Sequence, residues 1–264
     1  LMIPSVFMSL TGEALDKKIP LLRSNAAMNE AAQKVLSLMG ETDIAPLNSS
    51  CGAEQEYFLI DTHFANNRPD LLLAGRTLFG APPAKGQEFD DHYFGAIPER
   101  VQVFMQDFED KLYKLGIPAK THHNEVAPGQ FEINLQHVDD LLTACDQSIM
   151  LKRIIKGVAR QHGMAASFMA KPFTQIAGSG LHIHLSLYDA QGNNIFADEH
   201  SDQTPAIADS LRHAVGGLAA TMPESMAIFA PNANSYRRLV PDNFAPLTPN
   251  WGYNHRDVAL RIPV

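Results

Sequence analysis

The sequence predicts an α+β domain, in which helices cover one face of a sheet and the other face is a wet cleft. Three observations lead there. Helical and strand-like stretches are mixed without regular strand–helix alternation. The strand-like stretches at 51–60, 124–135 and 180–188 each carry polar groups, as a sheet with one solvated face does. No glycine loop of the G-x-G-x-x-G or G-x(4)-G-K-[ST] type is present.

Residues 23–39, "RSNAAMNEAAQKVLSLM", are rich in helix formers, and Gly40 is a plausible stop. Residues 51–60, "CGAEQEYFLI", read as a strand, alternating at first and then apolar. The Gly-, Pro- and Asp-rich stretch 65–98 reads as a long surface loop region with short elements. Residues 99–115, "ERVQVFMQDFEDKLYKL", form an amphipathic helix closed by Gly116. A polar strand-like stretch follows around "HHNEVAPGQFEINLQ". A helix over 139–162 opens at Asp139 or Asp140, carries an apolar stripe from Leu141 to Val158, and ends at Gly163. "MAASFMAKPF" and a glycine-containing loop at 177–180 lead into "SGLHIHLSLYD". There His182, His184 and Ser186 share one strand face, and Leu181, Ile183, Leu185 and Leu187 the other, which reads as a half-buried strand. "DAQGNN" is a turn, residues 204–220 a helix, and a last strand lies around 258–262 after Pro- and Asn-rich loops.

The 264 residues suffice for one sizeable core or two small ones, and 45% hydrophobic with 19% charged residues is globular composition. A formal net charge of -8 without a basic tract argues against nucleic acid as a partner. No window is apolar enough for a membrane span, and the apolar start lacks the basic lead of a signal peptide, so no membrane partner is expected. Cys51 and Cys145 form no disulfide or zinc ladder; a reduced, cytoplasmic setting is expected, with both as buried small side chains. Both ends read as cut: Leu1 is not a natural start, and "VALRIPV" is a strand in progress.

The chemistry lies in three clusters. Glu54 and Glu56 stand two apart and leave one face of a strand, where they repel each other unless a cation intervenes. Glu125 and Glu132 flank Pro128-Gly129, which can bend both towards one cleft. His182 and His184 form the third. Singly, each cluster reads most simply as a solvated face or a partly buried histidine. Together, four carboxylates and an imidazole suit Mg²⁺ or Mn²⁺ better than zinc, and two such ions would serve phosphoryl transfer. Arg237, Arg238, Arg256 and Arg261 supply the opposite sign, either as an anion clamp or as ordinary surface residues. His122 and His123 have no firm assignment, and Asn124 would orient neighbours.

The pieces "GAEQEYFLID", "HNEVAPGQFEI", "MAKPF", "GSGLHIHLSL", "PNANSYRRLVP" and "NHRDVALRIP", in this order, resemble the catalytic domain of the glutamine synthetase family and cover most of the chain. The resemblance implies a curved antiparallel sheet backed by helices, a funnel-shaped site, and subunits stacked in rings as a homo-oligomer. It implies ATP, two Mg²⁺ or Mn²⁺ ions, glutamate and ammonia, with γ-glutamyl phosphate captured by ammonia. On that pattern Glu56, Glu125 and Glu132 resemble the ligands of one metal, and Glu54 and His182 two ligands of the other. Arg256, Glu125 and Glu132 are the candidate catalytic groups. Gly178 and Arg238 match the substrate side, and His184, Ser186 and Arg261 the nucleotide side.

The chain departs from the pattern in places. The first half resembles the large bacterial type, and the second half, from about Phe131, the shorter common type and the γ-glutamyl-amine ligases. The usual N-G-S-G loop reads Ala177-Gly178-Ser179-Gly180. The flap reads "VPDNFAP", with Phe244 where ammonia-using enzymes carry a glutamate and Asp242 as a candidate substitute. Residues 1–264 would therefore be a partial catalytic domain, without the family's N-terminal domain and its C-terminal R-x-E-x-R-F segment. Four functions stay open: a glutamate–ammonia ligase, a γ-glutamyl-amine (polyamine) ligase, a catalytically silent truncated homologue, and a divalent-metal binding domain.

Overall fold

A computed structural model of the chain describes residues 5–38, 40, 48–74, 92–189, 191–198 and 205–263. The elements run α1 (Lys18–Leu38), β1 (Asn48–Asp61), α2 (Thr62–Asn66), α3 (Pro69–Ala74), a 3-10 turn (His92–Phe94), α4 (Glu99–Lys114), β2 (Ala119–Asn124), β3 (Gln130–Leu135), α5 (Leu141–Gln161), β4 (Met164–Ser167) and β5 (Leu181–Tyr188). They continue with α6 (Asp209–Thr221), α7 (Met226–Phe229), α8 (Ala233–Tyr236), β6 (Trp251–Tyr253) and β7 (Leu260–Ile262). Five strands form one antiparallel sheet in which β1 is the hub. It pairs with β3 and β4 at its C-terminal half and with β5 along its N-terminal half, while β2 adds to β3. Strands β6 and β7 make a separate parallel pair. The mixed helices and antiparallel sheet are the α+β architecture expected from the sequence.

The core lies on one side of this sheet. Tyr57 and Leu59 of β1 and Phe131, Ile133 and Leu135 of β3 alternate onto that face. Helix α4 meets them with Val101, Phe104, Met105, Phe108 and Leu112, and α5 with Leu151, Ile155, Val158 and Ala159. Helix ends are set locally. Asp140 caps α5 by accepting from the Thr143 N–H (2.8 Å). Gly116, at φ 71°, closes α4 while the Ile117 N–H reaches the Leu112 carbonyl (2.9 Å) and the Gly116 N–H that of Tyr113 (3.0 Å). A buried polar string also joins sheet to helix: the Tyr57 hydroxyl lies 2.7 Å from His122 Nε2, and His122 Nδ1 lies 3.1 Å from Glu109 of α4.

Several expectations shift. The 124–135 stretch is not one strand but the tight hairpin β2–β3, because Gly129 takes φ 71° and the Glu125 N–H bonds the Gln130 carbonyl (3.0 Å). The first helix begins at Lys18 rather than 23, and the helix expected over 204–220 runs Asp209–Thr221. Much of the 65–98 loop lies outside the described residues. On β5 the apolar face is not buried: Leu181, Ile183 and Leu185 are 45%, 62% and 50% exposed, since α4 and α5 cover β1 and β3 instead. Cys145 is exposed and Cys51 half-buried, so neither is the fully buried small side chain expected. No helix among the described residues is long and apolar enough to cross a membrane.

Candidate functional site

The face of the sheet opposite the core gathers the polar residues. Register places Glu56 across from Glu132, which in turn lies across from His123; one rung on, Glu54 lies across from both Asn134 and His182. His184 sits opposite Gly52, and Ser186 opposite Ser50. Residues from four parts of the chain therefore share one surface by strand pairing alone.

Two sub-clusters emerge. In the first, His123, Glu125 and Glu132 each present a ligand atom within 4.8 Å of the others, and both glutamates are buried. Burial, then a hydrogen bond and the charge of Glu125, push the Glu132 carboxyl up to about 8. Glu56 is also buried beside them, and its carboxyl is raised by burial and by Glu125. The Tyr93 hydroxyl donates to both Glu125 oxygens (2.9 and 3.0 Å), and the Asn134 amide to Glu132 (2.9 Å). In the second sub-cluster Glu54 is held between His182 Nδ1 (3.0 Å) and His184 Nε2 (3.1 Å). Those two histidines, His182 first, hold the Glu54 carboxyl well below the ordinary range, and Glu54 in turn raises His182.

The sub-clusters meet over the Gly178–Gly180 loop. Glu56 Oε2 accepts from the Gly180 N–H (2.8 Å) and from the Gln130 amide (3.0 Å). A Cβ on Gly180 would lie 3.0 Å from an Arg238 nitrogen, 3.2 Å from Glu56 Oε1 and 3.3 Å from His182 Nε2. Three groups thus converge on Gly180, and any side chain there would have to push them apart. A Cβ on Gly178 would fall closer than 3.0 Å to the Ala170 carbonyl oxygen, and 3.2 Å from Arg238 Cγ. Arg238 packs along this loop; among the described residues its buried Nε has no hydrogen-bond partner. Burial lowers the Arg238 pKa, and Glu56 and Glu125 work against that.

The expected residues do not all gather. Glu54, Glu56, Glu125, Glu132, His182, Gly178 and Arg238 lie in one neighbourhood, with His184 and Ser186 farther along β5. Arg256, exposed in the loop between β6 and β7, and Arg261, in β7 opposite Gly252, have no described contact with the carboxylates. Phe244 is exposed, and it and Asp242 hold φ of 52° and 57° in the turn after Val240. His123, Tyr93, Gln130 and Lys171 join the site without having been assigned from the sequence. For His123 a signal exists: it precedes Glu125 by two, as Glu54 precedes Glu56. Lys171 is buried; its ammonium donates to the Ile176 carbonyl and the Asn243 side chain, and its backbone exchanges bonds with Asn234.

The family model "Glutamine synthetase, catalytic domain" matches residues 29–264, and "Glutamine synthetase type III N terminal" matches residues 1–24. Over 197 residues the chain is 47% identical to a glutamine synthetase of Bacteroides fragilis, covering 75% of this chain and 27% of that protein. It is also 47% identical over 155 residues to the γ-glutamylputrescine synthetase of Escherichia coli, covering 58% of this chain and 32% of that protein. The chain thus spans 27% to 32% of the length of these two relatives. The cryo-EM structure of Plasmodium falciparum glutamine synthetase aligns with a TM-score of 0.68 at 24% identity, over 88% of this chain and 47% of that one, a likeness of fold. The catalytic-domain match over residues 29–264 and the identity to curated members place the chain: it belongs to the glutamine synthetase family.

Proposed function

We propose that this chain is the site-bearing part of an ATP-dependent ligase that joins ammonia to glutamate through γ-glutamyl phosphate. One observation carries the reading: three buried glutamates and an imidazole converge beside Arg238, a half-buried arginine whose buried Nε has no partner among the described residues. Carboxylates packed this way resist ionising together, as the raised Glu56 and Glu132 indicate, and a divalent cation relieves that repulsion. Hard oxygen donors with one imidazole each suit Mg²⁺ or Mn²⁺. His123, Glu56, Glu125 and Glu132 would hold one ion, and Glu54 with His182 would supply two ligands of the other. When bound, such ions neutralise and polarise phosphate oxygens, which phosphoryl transfer requires.

The chain's own groups have separable roles. Arg238 offers a guanidinium against the Gly178–Gly180 loop, suited to a substrate carboxylate. Gly178 and Gly180 keep that approach free of side chains. His184, Ser186 and Arg261 would serve the nucleotide side, and Arg256 the transferring phosphate. In this reading residues 29–264 carry the catalytic site, and the full-length protein is a homo-oligomer of stacked rings. A second reading keeps the phosphoryl chemistry but takes an alkyl amine as acceptor. It is favoured by the exposed Phe244, where the ammonia-using pattern has an acid, and by the resemblance to a γ-glutamylputrescine synthetase.

The test is phosphate release by the full-length gene product with ATP, Mg²⁺ and glutamate, comparing ammonia with a panel of amines. Ammonia-dependent release supports the first reading. A polyamine favoured about a hundredfold in kcat/KM replaces it with the second. No release with any acceptor leaves a silent homologue.

A further inference from the structure

We infer that Gln130 is a positioning residue, whose carboxamide locks the metal-side carboxylate Glu56 to the Gly178–Gly180 loop so that the two sides of the site are set as one body. The inference rests on the reading of Glu56 as a metal ligand given above.

Gln130 is 1% exposed, and its side chain lies on the site face of β3. Its carbonyl oxygen accepts from the Ala127 N–H (3.1 Å). A backbone N–H can be satisfied only by an acceptor, so this bond fixes which end of the amide faces which way. The NH₂ end must then point across the sheet. There it meets Glu56 Oε2 (3.0 Å), the Gly178 carbonyl (3.0 Å) and Ser179 Oγ (3.3 Å). Two hydrogens serve these three acceptors: one reaches Glu56, and the loop oxygens share the other. The Gly180 N–H closes the arrangement on the same Glu56 Oε2 (2.8 Å).

Two consequences follow. First, Glu56 Oε2 is occupied by two protein donors, which leaves Oε1 as the oxygen for a cation. Second, any movement of the 178–180 loop pulls on Glu56, because the loop offers it a donor from Gly180 and an acceptor to its partner Gln130. Loss of a group that orients a metal ligand typically costs about 10–100-fold in metal affinity. A plainer role is available, in which Gln130 only staples the β2–β3 turn through Ala127, and the test must separate the two.

Gln130→Glu does so. It keeps an oxygen for the Ala127 N–H but turns the donor end into an acceptor facing Glu56. Amide hydrogen exchange of the full-length protein should show Ala127 still protected while Gly180 exchanges at least about tenfold faster. Gln130→Met, similar in shape and without polar atoms, should weaken Mn²⁺ binding, followed by electron paramagnetic resonance, about tenfold or more. If Gln130→Glu leaves Gly180 protected and Gln130→Met binds Mn²⁺ within twofold of wild type, Gln130 is a turn staple and the inference fails. Should neither variant fold, wild type decides: Mn²⁺ must slow Gly180 exchange, because coupling between the two sites is reciprocal. Unchanged exchange on Mn²⁺ saturation overturns the inference alone. A wild-type protein that takes up no Mn²⁺ overturns the metal reading beneath it, which is a different result.

Discussion

Replacing Gly178 with alanine tests the site's tightest approach. The new methyl would stand closer than 3.0 Å to the Ala170 carbonyl oxygen, with Arg238 Cγ 3.2 Å away on another side. Backbone on one side and the inner Cγ of a half-buried arginine on the other leave no flexible side-chain end to give way. Relief means rotating the Ala170 peptide or lifting the loop. Either breaks the bond from the Ser179 N–H to Ala170 O (2.8 Å) and strains that from Gln130 to Gly178 O (3.0 Å). Overpacking of this kind costs about 1–3 kcal/mol, and a lost hydrogen bond about 0.5–1.5 kcal/mol more. The sum, about 1.5–4.5 kcal/mol, corresponds to a fall in Tm of roughly 3–18 °C for a chain of this size. Gly157 is the control. It lies within α5, and a Cβ there meets nothing within 4 Å. Gly157→Ala should therefore stabilise by about 0.5–1 kcal/mol through helix propensity. Thermal unfolding by circular dichroism should move in opposite directions for the two variants. A Gly178→Ala protein as stable as wild type would refute the reasoning, since the loop would then have room the structure denies it.

Three further outcomes are expected. Because Glu132 is raised from 4.5 to about 8, its contribution to stability is full below about pH 4.5 and is lost as pH rises towards 8. In chelator, chemical denaturation should show stability falling across that window, and Glu132→Gln should flatten the fall; an unchanged slope would remove Glu132 as its source. Lys171→Met deletes the ammonium that joins Ile176 to Asn243, so limited proteolysis should cut the 241–244 turn faster, and an unaltered cleavage rate would count against Lys171 as its anchor. Phe108, fully buried between the helices and the sheet, should cost about 3–5 kcal/mol as Phe108→Ala in urea unfolding; a loss below about 1 kcal/mol would contradict the described core.

What could be read from the sequence was local. The paired spacing Glu54-x-Glu56 and the alternation His182-x-His184 fix strand faces without knowledge of the partner strands. Helices α4 and α5 showed their stripes and their terminators Gly116 and Gly163, so their bounds differ from expectation by a residue or two. What escaped was non-local or short. Tyr93 reaches Glu125 over 32 positions and Gln130 reaches Glu56 over 74, and no periodicity records such meetings. Strand β4, "MAAS", has four residues, three of them small, and is a strand only because β1 offers it an edge. The exposed side of β5 was misread for a related reason: alternation shows that one face is apolar, but not whether a helix lies against it.

The register of β1 explains why the site and the core cannot be separated. Even-numbered residues of the strand, Glu54 and Glu56, face the cleft, and odd-numbered ones, Tyr57 and Leu59, face α4 and α5. A slip of one residue would put two carboxylates into the core and two large apolar groups into the cleft. The apolar burial of Tyr57, Leu59, Phe131 and Ile133 therefore holds the glutamates together against their mutual repulsion. It also sets their partners on β3, since the register that buries Tyr57 beside Phe131 places Glu56 against Glu132 and Glu54 against Asn134. The geometry of the proposed metal ligands is thus a consequence of core packing one residue away. A substitution such as Ile133→Ala, which touches no ligand, should accordingly weaken Mn²⁺ binding as well as stability.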